Sequence, residues 1–127
     1  MKNEPVFKEV AHYNNVKEWF RAAHIKDIPD DGGVAVLHKG KQIAIFYYSL
    51  TKKWYAVQNM CPHRLEMALS RGIIGDESGE PKISCPFHKK NFSLNTGQCL
   101  NDDQYQIDVY PVQVSDGFVY IGLPEDF

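Results

Sequence analysis

The apolar positions of this chain fall into short stretches rich in valine, isoleucine and tyrosine, which glycine, aspartate and proline separate. Short apolar runs between turn-forming residues are typical of β-strands, whereas helices need longer segments with a period near 3.6 residues. The pattern predicts strands at residues 34–37, 42–48, 54–58, 107–114 and 118–122. We therefore expect an all-β domain.

Two turns and one proline add detail to this prediction. Lys39-Gly40 separates the first two predicted strands. Asp116-Gly117 separates the last two and is typical of a type I′ hairpin, because glycine readily adopts a positive φ angle. Pro111 lies inside the predicted strand 107–114 and has no N–H to donate, which places it at a sheet edge or a bulge.

The first two dozen residues give a mixed pattern. Val6, Val10, Tyr13 and Phe20 recur near helical spacing, but the asparagine pair at 14–15 interrupts a long helix. We expect a loose extension to about residue 15, followed by a first strand near Phe20. The domain prediction is an extension over residues 1–18 and one folded domain over residues 19–127.

Composition and charge exclude several classes of protein. The 127 residues are enough for one domain, and 43% hydrophobic residues suffice for a core. Fourteen basic against 16 acidic residues give no excess of positive charge for nucleic acid or a membrane surface. No apolar run approaches the length of a membrane helix, and the N-terminus lacks the apolar region of a secretory signal. Three cysteines, an odd number, fit a reducing compartment, so we expect a cytoplasmic protein.

Residues 59–90 differ from the rest of the chain, with many cysteine, histidine, proline and glycine residues and little strand periodicity. About thirty irregular residues in a compact domain usually need support beyond a β-ladder, such as a bound metal centre. CPH at 61–63 and CPFH at 85–88 each offer one thiolate and one imidazole, and 21 residues separate the two motifs. We call these two motifs the clips, and the predicted metal ligands are Cys61, His63, Cys85 and His88.

Mixed clips of this kind favour a Rieske [2Fe–2S] centre, in which two cysteines hold one iron and two histidines hold the other. A tetrahedral zinc site is the main alternative, because zinc also accepts two cysteines and two histidines. Common zinc fingers, however, place both cysteines in one clip and both histidines in the other. This difference favours the iron–sulfur centre. A zinc-stabilised interaction module without electron transfer remains the less favoured hypothesis.

The segment RGIIGDESGEPKISCPFHKKNFSLNTGQCLNDD at 71–103 resembles the Rieske-type small subunits of assimilatory NAD(P)H-dependent nitrite reductases. WYAVQN at 54–59, before the first clip, and YPV at 110–112 also fit, so the resemblance covers roughly residues 19–122. It implies a three-layered antiparallel β sandwich or barrel, with a cluster-binding subdomain of two loops at one tip, over about residues 59–95. It also implies that Cys61 and Cys85 bind the inner iron, and that His63 and His88 bind the outer iron.

The same resemblance implies a large partner subunit that carries flavin, a [4Fe–4S] cluster and sirohaem, where nitrite is reduced to ammonia. This chain would then transfer electrons as a subunit of an oxidoreductase, and we assign it no catalytic residue of its own. The alternative is a free Rieske-type ferredoxin that serves an oxygenase, because both classes use the same ligands. High-potential Rieske proteins carry serine and tyrosine hydroxyls where this chain has Lys90 and Phe92, so we expect a low reduction potential.

Several residues beside the clips are candidates for partner docking or for shielding the cluster. Arg64, Lys89 and Lys90 could form a cationic collar, or could simply be solvated loop charges. Leu65 and Phe87, with Met67, could form an apolar rim or pack between the two loops, and the odd cysteine, Cys99, is expected to be a buried structural residue. The docking candidates are Arg64, Leu65, Phe87, Lys89 and Lys90.

Overall fold

The computed structural model describes residues 16–62, 65–87, 90–101, 104–125 and 127. In these ranges the chain forms strands and two 3-10 turns, Ile25–Asp27 and Leu69–Arg71, and no helix in them is long and apolar enough to cross a membrane. The strands are β1 (Glu18–His24), β2 (Gly33–His38), β3 (Lys41–Tyr48), β4 (Lys53–Gln58), β5 (Met60–Cys61), β6 (Glu66–Met67), β7 (Ile73–Glu77), β8 (Glu80–Ser84), β9 (Asn91–Ser93), β10 (Val109–Tyr110), β11 (Val112–Ser115) and β12 (Phe118–Leu123).

Ten of the twelve strands form three layers of antiparallel sheet, and β5 and β6 form a separate pair, which confirms the predicted all-β architecture. The central sheet has the order β10-β4-β3-β2, the outer sheet β1-β12-β11, and the third sheet β7-β8-β9. Strand β3 lies in the middle layer, since Ile43 and Ile45 pack with the outer sheet, while Ala44 and Phe46 pack with the third sheet. A strand buried on both faces has no polar side, which explains the continuous apolar run in its sequence.

Both predicted hairpin turns are present. Lys39 and Gly40 have φ angles of 53° and 80°, and they join β2 to β3. Asp116 and Gly117 have φ angles of 53° and 82°, and they join β11 to β12. Positive φ at both central residues is the geometry of a type I′ turn, whose twist matches that of the flanking strands.

The strand predicted at residues 107–114 is in fact two strands. β10 pairs with β4 in the central sheet, whereas β11 pairs with β12 in the outer sheet. Pro111 lies between them and donates no hydrogen bond, but its carbonyl accepts one from Gly122 N at 2.8 Å. The prediction placed this proline at an edge or bulge, and the structure places it where the chain passes from one sheet to the next.

The N-terminal strand begins close to the predicted place. β1 starts at Glu18 and pairs with β12, with an irregular register between Arg21 and Ala23. Its backbone bonds extend one residue earlier, because Lys17 N donates to Leu123 O at 2.7 Å. The extension predicted over residues 1–15 lies outside the described residues, and the domain boundaries stay a prediction.

The expectation that residues 59–90 lack regular structure was wrong. This segment contains β5 to β8, and β8 pairs with β7 on one side and with β9 on the other. Pro81 and Ile83 of β8 are buried between more exposed neighbours, so the two-residue period is present but short. The third sheet packs on the central sheet through a shared apolar cluster.

A tyrosine hydroxyl also links the central and third sheets. Tyr48 OH donates to Asp76 Oδ1 at 3.1 Å, from the end of β3 to β7. Desolvation and this hydrogen bond raise the pKa of Tyr48, so its hydroxyl stays protonated and donating across the neutral range. The link helps fix the third sheet, from which the second clip follows directly.

Candidate metal centre

Two of the four predicted ligands lie in one buried cluster. Cys61 ends β5 and is 0% exposed, while Cys85 directly follows β8 and is 1% exposed. Both belong to the apolar cluster that also contains Leu69, Ile83 and Phe92. The fold therefore brings the two cysteines into the same cluster although 24 positions separate them in sequence. His63 and His88 lie outside the described residues.

A backbone hydrogen bond closes each clip. Leu65 N donates to Cys61 O at 2.6 Å across the first clip, and Cys85 N donates to Lys90 O at 2.8 Å across the second. Each hydrogen bond joins the cysteine to a residue only a few positions further along the chain. The backbone of each cysteine is thus fixed at the end of a strand, which is a suitable support for a residue that must hold a metal.

The chemistry of the cysteine pair fits a metal-bound group. All three cysteines of the chain are described, and none of them is in a disulfide. Cysteine binds metal as the thiolate, and a thiolate in apolar surroundings needs nearby positive charge to offset the cost of burial. Iron ions supply that charge. Within the described residues no group of three or more histidine, cysteine or acidic side chains is assembled, and of the four predicted ligands the structure describes Cys61 and Cys85.

The docking candidates are placed in part. Leu65 is 73% exposed and Phe87 is 48% exposed, so neither apolar side chain is buried between the loops. Lys90 is half-buried, with its Nζ 5.9 Å from the centre of the Tyr105 ring. Arg64 and Lys89 lie outside the described residues.

Leu65 also has an unfavourable backbone conformation. Its φ angle is 58°, in the left-handed region that residues other than glycine adopt at a cost. Strain and exposure of a large apolar side chain are both unfavourable, and their combination at one residue is typical of functional loops. The docking role predicted for Leu65 is compatible with this exposure and stays a prediction.

Sequence reasoning missed two residues that lie close in the chain to the predicted docking candidates. Met67 of β6 was named, but Ile73 of β7 was not, and these side chains are 39% and 75% exposed. Arg71, also not singled out, lies with its guanidinium carbon 5.7 Å from the centre of the Phe87 ring. An exposed apolar residue in a strand gives no sequence signal, since its neighbours across the surface come from distant segments.

The third cysteine has the structural role predicted for it. Cys99 is 3% exposed and forms an isolated bridge with Phe92, at the edge of the third sheet. Its Sγ donates to Asn101 Oδ1 at 3.2 Å. Buried cysteine with a weak local hydrogen bond behaves as a small apolar residue.

Comparison with known families decides which kind of metal centre the domain is built for. A family model described as the Rieske-like [2Fe-2S] domain matches residues 18–122. The chain belongs to the Rieske-like [2Fe-2S] family. The predicted Rieske fold and [2Fe–2S] cofactor are thereby confirmed, and the zinc module loses its support.

Individual relatives point to one branch of this family. The chain is 33% identical over 106 residues to the nitrite reductase (NADH) small subunit of Salmonella typhimurium, covering 84% of this chain and 98% of that protein. A solution structure of the nitrite reductase [NAD(P)H] small subunit from Erwinia carotovora has a TM-score of 0.73 at 31% identity, covering 86% of this chain and 84% of that one. The resemblance to nitrite reductase small subunits is confirmed.

Two further relatives are a much longer protein and a ferredoxin subunit. The chain is 41% identical over 110 residues to a nitrite reductase [NAD(P)H] of Emericella nidulans, covering 82% of this chain but only 10% of that protein. This chain thus spans about a tenth of that relative. It is also 32% identical over 104 residues to a 3-phenylpropionate/cinnamic acid dioxygenase ferredoxin subunit of Photorhabdus laumondii, covering 80% of this chain and 91% of that one.

Proposed function

We propose that this chain is the electron-transfer small subunit of a cytoplasmic NAD(P)H-dependent nitrite reductase, which reduces nitrite to ammonia. The main observation in support of this proposal is the alignment with a separate small subunit over 98% of its length. The match to a tenth of a longer nitrite reductase supports the same proposal, since it shows the domain within one chain of such an enzyme. The partner of this chain is then a large subunit with flavin, a [4Fe–4S] cluster and sirohaem.

We assign the ligands as Cys61 and Cys85 for the inner iron, and His63 and His88 for the outer iron. The burial of both cysteines in one cluster supports the first half of this assignment. When bound, the cluster supplies reversible one-electron transfer. The clips themselves provide two thiolates in apolar surroundings and hold them at the ends of β5 and β8.

The ligand set also determines the electrostatic cost of reduction. Two thiolates and two neutral imidazoles leave the oxidised core uncharged, and one electron brings it to a charge of about −1. Four thiolates would take the core from about −2 to about −3, which costs more in a site shielded from water. The histidines therefore raise the potential above that of all-cysteine clusters.

Within the Rieske range we expect a low midpoint potential, near the lower limit of about −150 mV. Hydroxyl donors to a cluster stabilise its reduced, more negative state, and Lys90 and Phe92 offer none at the two positions considered above. A redox titration followed by electron spin resonance would measure the potential. A midpoint well above zero would contradict this expectation.

Nitrite itself is expected to bind the partner. An open pocket of about 430 Å³ lies beside the start of β4, whereas Cys61 follows the other end of that strand and Cys85 follows β8. Its lining is mainly apolar, and its one lysine is accompanied by an aspartate; the lining residues are Ile25, Lys26, Ile28, Asp30, Tyr47, Trp54 and Val114. Small anions are held by clusters of N–H donors and cations, which this pocket does not offer.

The partner is expected to dock on the surface around the clips. We define this docking surface as Leu65, Met67, Ile73 and Phe87 with the cations Arg71 and Lys90, and we include Arg64 and Lys89 from the sequence. An apolar centre with cations at its edge fits a partner surface that is apolar with acidic groups around it.

Charge reversal tests this surface. Lys89→Glu and Lys90→Glu are each expected to slow electron transfer to the large subunit by up to about ten-fold at low ionic strength, with the difference shrinking in high salt. Lys53→Glu, at the exposed start of β4 and away from the clips, is the matched control. Stopped-flow reduction at several salt concentrations measures the rates. Equal rates for all three variants would show that the two lysines take no part in docking.

Co-purification tests the proposed assembly as a whole. A tagged copy of this chain, expressed in its own host under nitrite-dependent growth, should bring with it a large protein with NAD(P)H-dependent nitrite reductase activity. The ferredoxin alternative, supported by the similarity to the dioxygenase ferredoxin subunit, predicts instead electron transfer to an oxygenase. Recovery of an oxygenase system without nitrite reductase would favour that alternative.

A further inference from the structure

One buried amide side chain lies directly before the first clip. Asn59 is 1% exposed, between the end of β4 and Cys61. Its Oδ1 accepts a hydrogen bond from Ser70 N at 2.7 Å, and its Nδ2 donates to Gln42 Oε1 at 2.8 Å. Buried amides are rarely kept unless their hydrogen bonds are made, and here the side chain uses both ends.

The backbone of Asn59 bonds to the same two regions. Its N–H donates to Gln42 O at 3.0 Å, and its carbonyl accepts from Ala68 N and Leu69 N, each at 3.0 Å. Asn59 therefore joins three pieces of chain: the start of β3, the segment entering the first clip, and the turn that follows that clip.

The preceding residue fixes the other side of this segment. Gln58 Nε2 donates to Met60 O at 2.8 Å, while Gln58 Oε1 accepts from Asp108 N at 2.8 Å. Residues 58–60 are thus held from both sides by amide side chains, and Cys61 comes next. Any shift of this segment moves Cys61.

The turn held by Asn59 continues to the second clip. Ser70 belongs to the turn Leu69–Arg71, and Gly72 follows it in close contact with the backbone of Ser84. A Cβ at Gly72 would lie 2.1 Å from Ser84 O. Because Ser84 directly precedes Cys85, the path from Asn59 through this turn connects the two clips.

We propose that Asn59 is a positioning residue that fixes the first clip against the second, so that Cys61 and Cys85 are held ready for the cluster. This role rests on the ligand assignment under Proposed function. It differs from general support of the fold because Asn59 bonds to the turn that follows the first clip, and this turn leads through Gly72 to Ser84, directly before the second clip. Groups that orient metal ligands in this way tune the retention and electronic properties of the centre.

Asn59→Ala removes both side-chain bonds and is expected to speed iron loss to a chelator by about ten-fold, the lower end of the usual effect of residues behind metal ligands. The spin-resonance signal of the reduced protein should also broaden, because the ligand geometry is less uniform. Gln42→Ala removes only the Nδ2 bond and should give an intermediate rate. It also keeps the test available if Asn59→Ala does not fold.

Ser93→Ala is the matched control. Ser93 is 0% exposed, and its Oγ bonds to Glu80 and accepts from Asn95 N and Thr96 N, each of these at 3.1 Å. Its loss should lower the unfolding temperature while leaving the signal shape unchanged. All rates are compared at a temperature at which circular dichroism shows each variant folded.

The outcomes separate this proposal from the ligand assignment. Iron loss and signal width that are the same in Asn59→Ala, Gln42→Ala and Ser93→Ala would overturn the role of Asn59 and leave the ligands standing. A wild-type protein whose spectrum is not that of a Rieske centre would overturn the ligand assignment itself. Faster loss confined to the Asn59 and Gln42 variants would support the proposal.

Discussion

Replacing either buried cysteine of the clips with alanine is expected to abolish the iron–sulfur centre. Cys61 and Cys85 would supply both thiolate ligands of the cluster, and the remaining cysteine, Cys99, belongs to neither clip. Alanine fills part of the vacated space, so the fold should persist in the apo form. The purified variants should lack the red-brown colour and contain almost no iron or acid-labile sulfide.

The third cysteine provides a control for this experiment. Cys99 lies in the same apolar cluster and is also buried, but it belongs to neither clip. Cys99→Ala removes a thiol of the same kind, while Asn101 Oδ1 still accepts a hydrogen bond from Asn91 N at 3.2 Å. Visible absorption, spin resonance and metal analysis of the three variants together should show loss in two and retention in the third.

Each way in which this result could fail has a distinct meaning. If Cys99→Ala were the one variant of the three to lose the cluster, the assignment of the sulfur ligands to the clips would be contradicted. Zinc at one atom per chain in the wild-type protein, without sulfide, would contradict the iron cluster. His63→Ala and His88→Ala extend the test to the outer iron, and each should also prevent assembly of the Rieske centre.

Local sequence patterns predicted much of the fold because they depend on neighbouring residues. The positive φ angles at Gly40 and Gly117 are required by two-residue hairpins, and such turns are visible in a dipeptide. The apolar run in β3 likewise follows from burial on both faces. The two clips were predicted because a metal needs its ligands at short, fixed spacings.

The errors have equally physical causes. The sequence predicted one strand over residues 107–114, because the alternation of apolar and polar positions does not show that the chain changes sheet at Pro111. The third sheet was missed because β7 and β8 are short and contain glycine, proline and charged residues, which lower their strand propensity. Packing on the central sheet outweighs that propensity, and such packing involves residues far apart in sequence.

The supporting residues of the site could not be predicted from the sequence for the same reason. Asn59 reads as an ordinary polar residue after a strand until Gln42 and Ser70 are placed beside it. Gly72 reads as one glycine of a loop until Ser84 is placed beside it. Both depend on contacts between segments that the fold, rather than the local pattern, brings together.

The close approach at Gly72 leads to the second large effect. Gly72→Ala is expected to destabilise the protein by about 3 kcal/mol, the upper end of the usual cost of overpacking. The new Cβ would meet Ser84 O at 2.1 Å and Ser84 C at 3.1 Å, and both are backbone atoms that no side-chain rotation can move. The contact is steric and does not involve an unusual φ angle, since Gly72 is in extended backbone with φ of −78°.

Relief of this clash must displace one of the two clips. Ser84 pairs with Ile73 at the end of β8 and directly precedes Cys85, while the turn before Gly72 is bonded to Asn59. Movement on either side therefore changes the separation between Cys61 and Cys85. We expect iron to be lost to a chelator faster than from the wild-type protein, even at temperatures where the variant remains folded.

Gly75 supplies the matched control, since it lies in β7 three residues further along, and a Cβ there would have nothing within 4 Å. Gly75→Ala should therefore be neutral or slightly stabilising, because alanine loses less conformational entropy than glycine in a strand. Urea unfolding of the apo forms and chelator kinetics of the loaded forms measure the two effects separately. If Gly72→Ala were as stable as Gly75→Ala and kept its iron as well, the turn and Ser84 could separate without cost. The spacing of the clips would then not depend on this contact.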